Sequence, residues 1–405
     1  QNALRSWSGK TASVEELVQS LHAQRKAAST HRWPASFSRW GGWLERALAD
    51  ERALSDERAF GDERAAGTGY FRTYHDGSRW WLVDPDGYLF WSTGMDCVTF
   101  SIESAYDGLE SALTWLPDRE GEFAAAYGQY EAAMFNYLRA NFIRAFGPDG
   151  DDTAWSEIVL SQLREAGFNT VANWSDWRIA AEKMPYTRPL RGDDLQGLPN
   201  VYRDFPDVFH PDFEAAAGEF AAQLRDTVED PALIGYFLMN EPTWGFASEP
   251  PAVGMLFNTS DCYSRQVLSE HLREKYGSQS ALADAWGSDV TFGAIAAGRW
   301  TRVLTASAVE DLTAFSEQMV VRYFGVLSAA CRRVDPNHLN LGIRYYTVPP
   351  QWAVRGMSVF DVLTSLLQLT HQPRPARNAG VAPSVRRWSP AVPLSPVPRP
   401  IPAAA

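Results

Sequence analysis

The chain has 405 residues, with 37 Lys and Arg against 49 Asp and Glu and a formal charge of -12. That balance argues against nucleic acid or an anionic membrane surface as partner, because no basic stripe offsets it, and no apolar run approaches the ~20 residues of a membrane span. A hydrophobic content of 45% suits one large α/β domain or two ordinary ones.

Residues 1–68 read as a helical, polar N-terminal segment. Within it Asp-Glu-Arg recurs every six residues, at Asp50, Asp56 and Asp62, as on a solvated face or a linker. Residues 70–98 change character. Two Asp-Gly pairs, Asp76-Gly77 and Asp86-Gly87, sit between aromatic and β-branched runs; such pairs accept the positive φ of tight turns, so a β-hairpin meander is predicted. From about residue 150 the rhythm becomes helix then strand. Trp155, Ile158, Val159 and Leu163 share one helical face, Phe213, Phe220, Leu224 and Val228 another, and Leu312, Phe315, Met319, Tyr323 and Val326 a third. Strands are expected near 90, 170, 185, 236, 341 and 362, the last being "VFDVLT" at 359–364. Six strands alternating with helices predict a parallel sheet wrapped by helices. The body of the protein thus spans 69–365.

Residues 366–405 break the pattern, with nine Pro, five Arg and no acidic residue. The segment is expected to be an extended, disordered tail. Its onset in mid-pattern reads as a shifted reading frame. The first residue is Gln1, so a signal peptide has gone or never existed, and localisation stays open.

The chemistry centres on "IGYFLMNEPTWG", residues 234–245. An apolar run of this kind is a strand covered on both faces, and it ends in Asn240-Glu241. A carboxylate at the C-terminal tip of a parallel strand projects where such folds place their reactions. Partial burial there could raise its pKa enough to hold a proton, as a general acid for glycosidic cleavage requires. Asn240 could hydrogen-bond a sugar hydroxyl. Sixteen Trp supply either a heavily aromatic core or stacking platforms for sugar rings. The three Cys are widely spaced and the seven His scattered, with no zinc, phosphate-loop or dinucleotide motif; neither metal nor cofactor is expected.

"GSRWWLVDPDGYLFWSTGMDCV", "AGFNTVANWSD", "LIGYFLMNEPTWG" and "HLREKYGSQSALADAWG" together resemble the clan-A glycoside hydrolases, particularly the family 50 β-agarases and family 42 β-galactosidases. The resemblance, from about 68 to 364, implies a (β/α)8 TIM-type barrel and a retaining two-glutamate mechanism. It implies Glu241 as acid/base with Asn240 contacting the sugar, Asn173 and Trp174 lining the subsite, Trp244 stacking near the acid/base, and Arg344 with Tyr345 ending the fifth strand. An oligo- or polysaccharide of β-galactoside type is the implied substrate. The departure concerns the nucleophile, a Glu at the tip of the seventh strand in those families. Here the last Glu is Glu317, inside a predicted helix, and the last acidic residue is Asp361, at the start of the sixth strand. The barrel is therefore expected to be incomplete and the nucleophile missing. Asp96 ends the first strand on the catalytic side, as a contact to substrate or a structural hydrogen bond. The rival reading is a non-catalytic carbohydrate-binding or interaction protein derived from a glycosidase barrel.

Overall fold

The computed structural model describes residues 13–30, 33–47, 67–128, 133–195, 197–345 and 349–363. The Asp-Glu-Arg repeat and the Pro-rich tail lie outside the described residues. The meander is present. Arg72–His75, Trp80–Val83 and Tyr88–Phe90 pair antiparallel in sequence. Gly77 and Gly87 take φ of 88° and 100° at the two turns. Asp76 caps its turn by accepting from the backbone N–H of Ser78 (2.8 Å) and Arg79 (2.7 Å) and from Trp81 Nε1 (2.7 Å). Those donors, Trp81 first, hold its carboxyl down at about 2. A further meander strand, Trp43–Ala47, pairs with Tyr88–Phe90. It has no turn dipeptide to announce it.

Five strands form a parallel sheet: Gly94–Met95, Thr170–Val171, Tyr186–Pro189, Leu233–Asn240 and Leu339–Arg344. Each pairs with the next in chain order. The class is mixed α/β, as expected, but the sheet is open and no closed barrel is seen among the described residues. The strand expected near 90 divides, with Tyr88–Phe90 in the meander and Gly94–Met95 opening the parallel sheet. The sixth strand is corrected. Arg355–Val359 is a 3-10 helix, and Asp361 and Val362 both donate their N–H to Asn340 O (2.9 and 3.3 Å). The chain thus crosses the start of the fifth strand instead of running beside it. A short apolar run fits either geometry, so its period does not decide.

One glycine makes that crossing possible. Gly342 sits at φ +74°, and a Cβ there would lie 2.3 Å from Phe360 Cδ2. Gly342→Ala is expected to destabilise the protein by more than ~1 kcal/mol, from backbone strain and overlap together. Adding Phe360→Ala should recover the overlap component alone, which thermal melts of the single and double variants would resolve.

Three helices cover the sheet and its extensions, Asp151–Glu165, Phe213–Ala221 and the 29-residue Ala306–Val334. The fourth strand is buried from Leu233 to Met239, as its unbroken apolar sequence requires. At the N-terminal end of the sheet, Asp230 accepts from Tyr186 Oη (2.9 Å) and, through its carbonyl, from His338 Nε2 (2.9 Å). His338 is fully buried and its Nδ1 pairs with Asp335 (2.8 Å), so it ties two loops together. Among the described residues no helix is long and apolar enough to cross a membrane, and no cluster of three or more His, Cys, Asp or Glu could hold a metal.

Candidate active site

The C-terminal ends of the parallel strands carry an unusual backbone. Cys97, Trp174 and Glu241 have φ of 60°, 58° and 44°. Each lies just past the end of a strand, the first, second and fourth. Left-handed conformations are uncommon for residues other than glycine and are retained where surrounding structure enforces them, often at functional sites. Here hydrogen bonds enforce them. Glu241 N–H donates to Arg344 O (2.9 Å), and Cys97 N–H donates to Asn173 O (2.9 Å).

Arg344 is the hub. Parallel pairing sets it beside Asn240 in register. Its Nη1 donates to Asn240 Oδ1 (2.9 Å) and forms an ion pair with Glu241 Oε1. The guanidinium carbon lies 4.6 Å from the centroid of the Trp174 ring, within cation–π range. Asn173 is buried, and its Oδ1 accepts from Thr187 Oγ1 (2.8 Å), so it braces the second strand against the third. Asp96 is exposed as a residue, yet crowding around its carboxyl pushes that group up; a backbone hydrogen bond from Asn173 and the charge of Arg344 oppose the rise. Asn240, Glu241 and Trp174 therefore gather on Arg344, with Asn173 behind them and Asp96 within reach of the charge of Arg344.

Trp244 lies in the core instead of an open stacking position, and Tyr345, at the end of the fifth strand, is buried beside it. Trp244 is 0% exposed, wedged among Phe205, Tyr323, Phe324, Tyr345 and Trp352. Tyr345 is 1% exposed, its ring 6.0 Å from that of Trp244. Neither ring presents a face for a sugar. Trp244 is instead the floor of a cavity of about 530 Å³ that Leu190, Asn200, Asp204, Met239 and Asn240 also line. Its size falls in the range of small-molecule sites.

Asp204 is a residue the sequence did not single out. Its carboxylate accepts from Thr243 N–H (2.8 Å), Thr243 Oγ1 (2.6 Å) and Trp244 N–H (3.0 Å), and so pins the turn that follows Glu241. It sits in a loop without periodicity, far from Glu241 in sequence, and carried no signal. Asp204→Ala is expected to cost about 1–3 kcal/mol by leaving those donors unpaired and to loosen the Glu241 loop, read as a lower melting temperature together with faster amide exchange at Thr243 and Trp244.

The two late carboxylates are placed away from this cluster. Glu317 lies on the long helix and pairs with Arg355 (2.9 Å). Asp361 accepts from Arg332 Nη2 (2.5 Å) and Asn340 N–H (2.7 Å), at the start of the fifth strand, the opposite end from Arg344.

No protein-family model matches the chain. Among curated proteins it is similar to β-agarase B of Vibrio sp. strain JT0107, 25% identical over an alignment of 411 positions that takes in 88% of this chain and 41% of that protein. β-Agarase A of the same strain is 24% identical, over 90% of this chain and 39% of that one. The chain thus spans about two fifths of the length of the curated relatives it matches. Two solved structures, of an agarase and of an exo-β-agarase, each superpose with TM-score 0.69 at 23% and 22% identity, over 88% of this chain and 54% of theirs. The resemblance to family 50 β-agarases therefore stands, and the described fold is shared with solved agarases. The chain is glycoside-hydrolase-like.

Proposed function

We propose that this chain carries the acid/base half of a retaining β-galactoside-cleaving site of β-agarase type. Glu241 protonates the leaving oxygen, Asn240 hydrogen-bonds a ring hydroxyl, and Trp174, 37% exposed, offers a face to a sugar ring. Arg344 orients the first two through its guanidinium, and Asp96 contacts substrate from the first strand. The observation that carries this reading is the convergence of Asn240, Glu241 and Trp174 on Arg344 at the C-terminal ends of parallel strands, where such sheets bind their ligands. A retaining mechanism needs a second carboxylate ~5–5.5 Å from the acid. Both late carboxylates are engaged elsewhere, so on this reading the nucleophile is not supplied by the described residues. That same observation favours a second reading, a site that binds galactan and does not turn it over.

Calorimetric titration with agaro-oligosaccharides tests the shared premise. The wild-type chain is expected to bind, and Trp174→Ala to weaken binding by up to about tenfold, the worth of one aromatic stacking contact. Absence of binding by the wild type would remove both readings.

A further inference from the structure

We propose that Thr187, on the third parallel strand, is a positioning residue for the substrate. Its hydroxyl fixes the side-chain amide of Asn173 so that Nδ2 donates to an oxygen of the bound sugar. The proposal rests on the function proposed above and adds to it a recognition contact made from within the sheet.

Asn173 joins three strands. It is 8% exposed. Its carbonyl accepts from Cys97 N–H (2.9 Å) and its N–H bonds the carboxyl of Asp96, so its backbone holds the end of the first strand. Trp174 follows it directly, with its ring against the guanidinium of Arg344. The Asn173 side chain reaches the third strand, where Thr187 Oγ1 donates to Oδ1 (2.8 Å). An amide has one accepting end and one donating end. With Oδ1 on Thr187, Nδ2 is the end left over. It meets no acceptor among the described residues, yet it is not one of the polar atoms sealed from solvent. A side chain this buried rarely keeps an idle donor, because an unmet hydrogen bond is costly there. An open donor beside Asp96 and Trp174 therefore points to a ligand that brings an acceptor oxygen.

Thr187 suits the task. Successive residues of a strand point to opposite faces. Tyr186 and Arg188 both turn to Trp177, the first with its ring stacked at 5.8 Å and the second with its guanidinium carbon 4.4 Å from the ring centroid. Thr187 between them turns the other way, to Asn173. Its hydroxyl has no other partner among the described residues, so its one proton is available to Oδ1. Branching at Cβ keeps χ1 stiff, which presents that hydroxyl at a fixed place. The third strand thus sets which end of the amide faces the sugar, although Thr187 itself does not touch it.

The test is calorimetric titration of agaro-oligosaccharides into wild type, Thr187→Val, Thr187→Ser, Asn173→Ala and the pair Thr187→Val/Asn173→Ala. Thr187→Val keeps the shape of the side chain and removes the hydroxyl. It should weaken binding about fivefold, the worth of one hydrogen bond, and Thr187→Ser should restore most of that loss. In the Asn173→Ala background, Thr187→Val should change affinity no further, because Thr187 acts through that amide alone. In protein isotope-labelled at Asn, the side-chain amide signal of Asn173 should shift as oligosaccharide is added. Wild-type affinity in Thr187→Val would overturn the proposal, as would an unmoved Asn173 signal. A loss that Thr187→Ser does not recover, or one that persists undiminished in the Asn173→Ala background, places Thr187 in packing and overturns it as well. In each of these cases a wild type that binds, and that Trp174→Ala weakens, leaves the function proposed above standing. Absence of binding by the wild type overturns both.

Discussion

Glu241→Gln is expected to lower azide-supported cleavage of agaro-oligosaccharides by about 10²–10⁴-fold, the usual contribution of a general acid. The sugar leaving group is a poor one, so its oxygen needs a proton as the glycosidic bond breaks. Azide can occupy the position of a nucleophile and attack the anomeric carbon from the opposite face. A β-linked galactoside then yields the α-galactosyl azide, while the proton from Glu241 ends on the departing oxygen. The substituted amide would keep the shape and the contact with Arg344 Nη1 but has no proton to give. The expected pattern is a collapse in rate with oligosaccharide affinity retained. An aryl galactoside with a good leaving group should lose far less, because its oxygen departs without assistance. Equal losses on both substrates would place Glu241 in positioning instead of proton transfer.

Trp244→Ala is expected to destabilise the protein by about 3–5 kcal/mol, as for other buried Trp truncations. The ring is fully buried and packs against five aromatic side chains, Tyr323 and Phe324 of the long helix together with Phe205, Tyr345 and Trp352. Nothing in the described structure pairs with its Nε1, so Trp244→Phe should cost much less than the alanine change. A sugar-stacking role predicts the reverse signature, with unchanged stability and weakened binding. Denaturant titrations of the three proteins, with oligosaccharide affinities for those that stay folded, separate the two roles.

What could be read from the sequence depended on how local its cause was. The Asp-Gly turns declare the meander because the required φ is a property of two adjacent residues. The fourth strand was legible from six consecutive apolar residues, and the long helix from its 3.6-residue spacing. Asn240-Glu241 stood out as the polar end of that apolar run, and Trp174 entered only through the family resemblance. The organisation of the site was not legible. That Arg344 would sit on Asn240 and Glu241 follows from the parallel register between strands more than 90 residues apart, with partners Asn240↔Arg344, which no spacing announces. Asp204 likewise acts at a distance in sequence, on Thr243 and Trp244, which are 39 and 40 residues away. The inward turn of Trp244 was hidden because the residues around it do not say which side of a turn its indole faces. At residues 359–364, Val359, Phe360, Val362 and Leu363 satisfy both a strand and an apolar crossing, and Gly342 decides for the crossing by admitting Phe360.

The most direct measurement is mass-spectrometric product analysis of the wild-type chain incubated with agaro-oligosaccharide, with and without azide. The proposed account predicts no cleavage in buffer and galactosyl azide when azide is present, because on that account the described residues supply the acid and the subsite but no nucleophile. Steady hydrolysis in buffer, removed by Asp96→Asn, would contradict it by showing that the second carboxylate is Asp96 on the first strand.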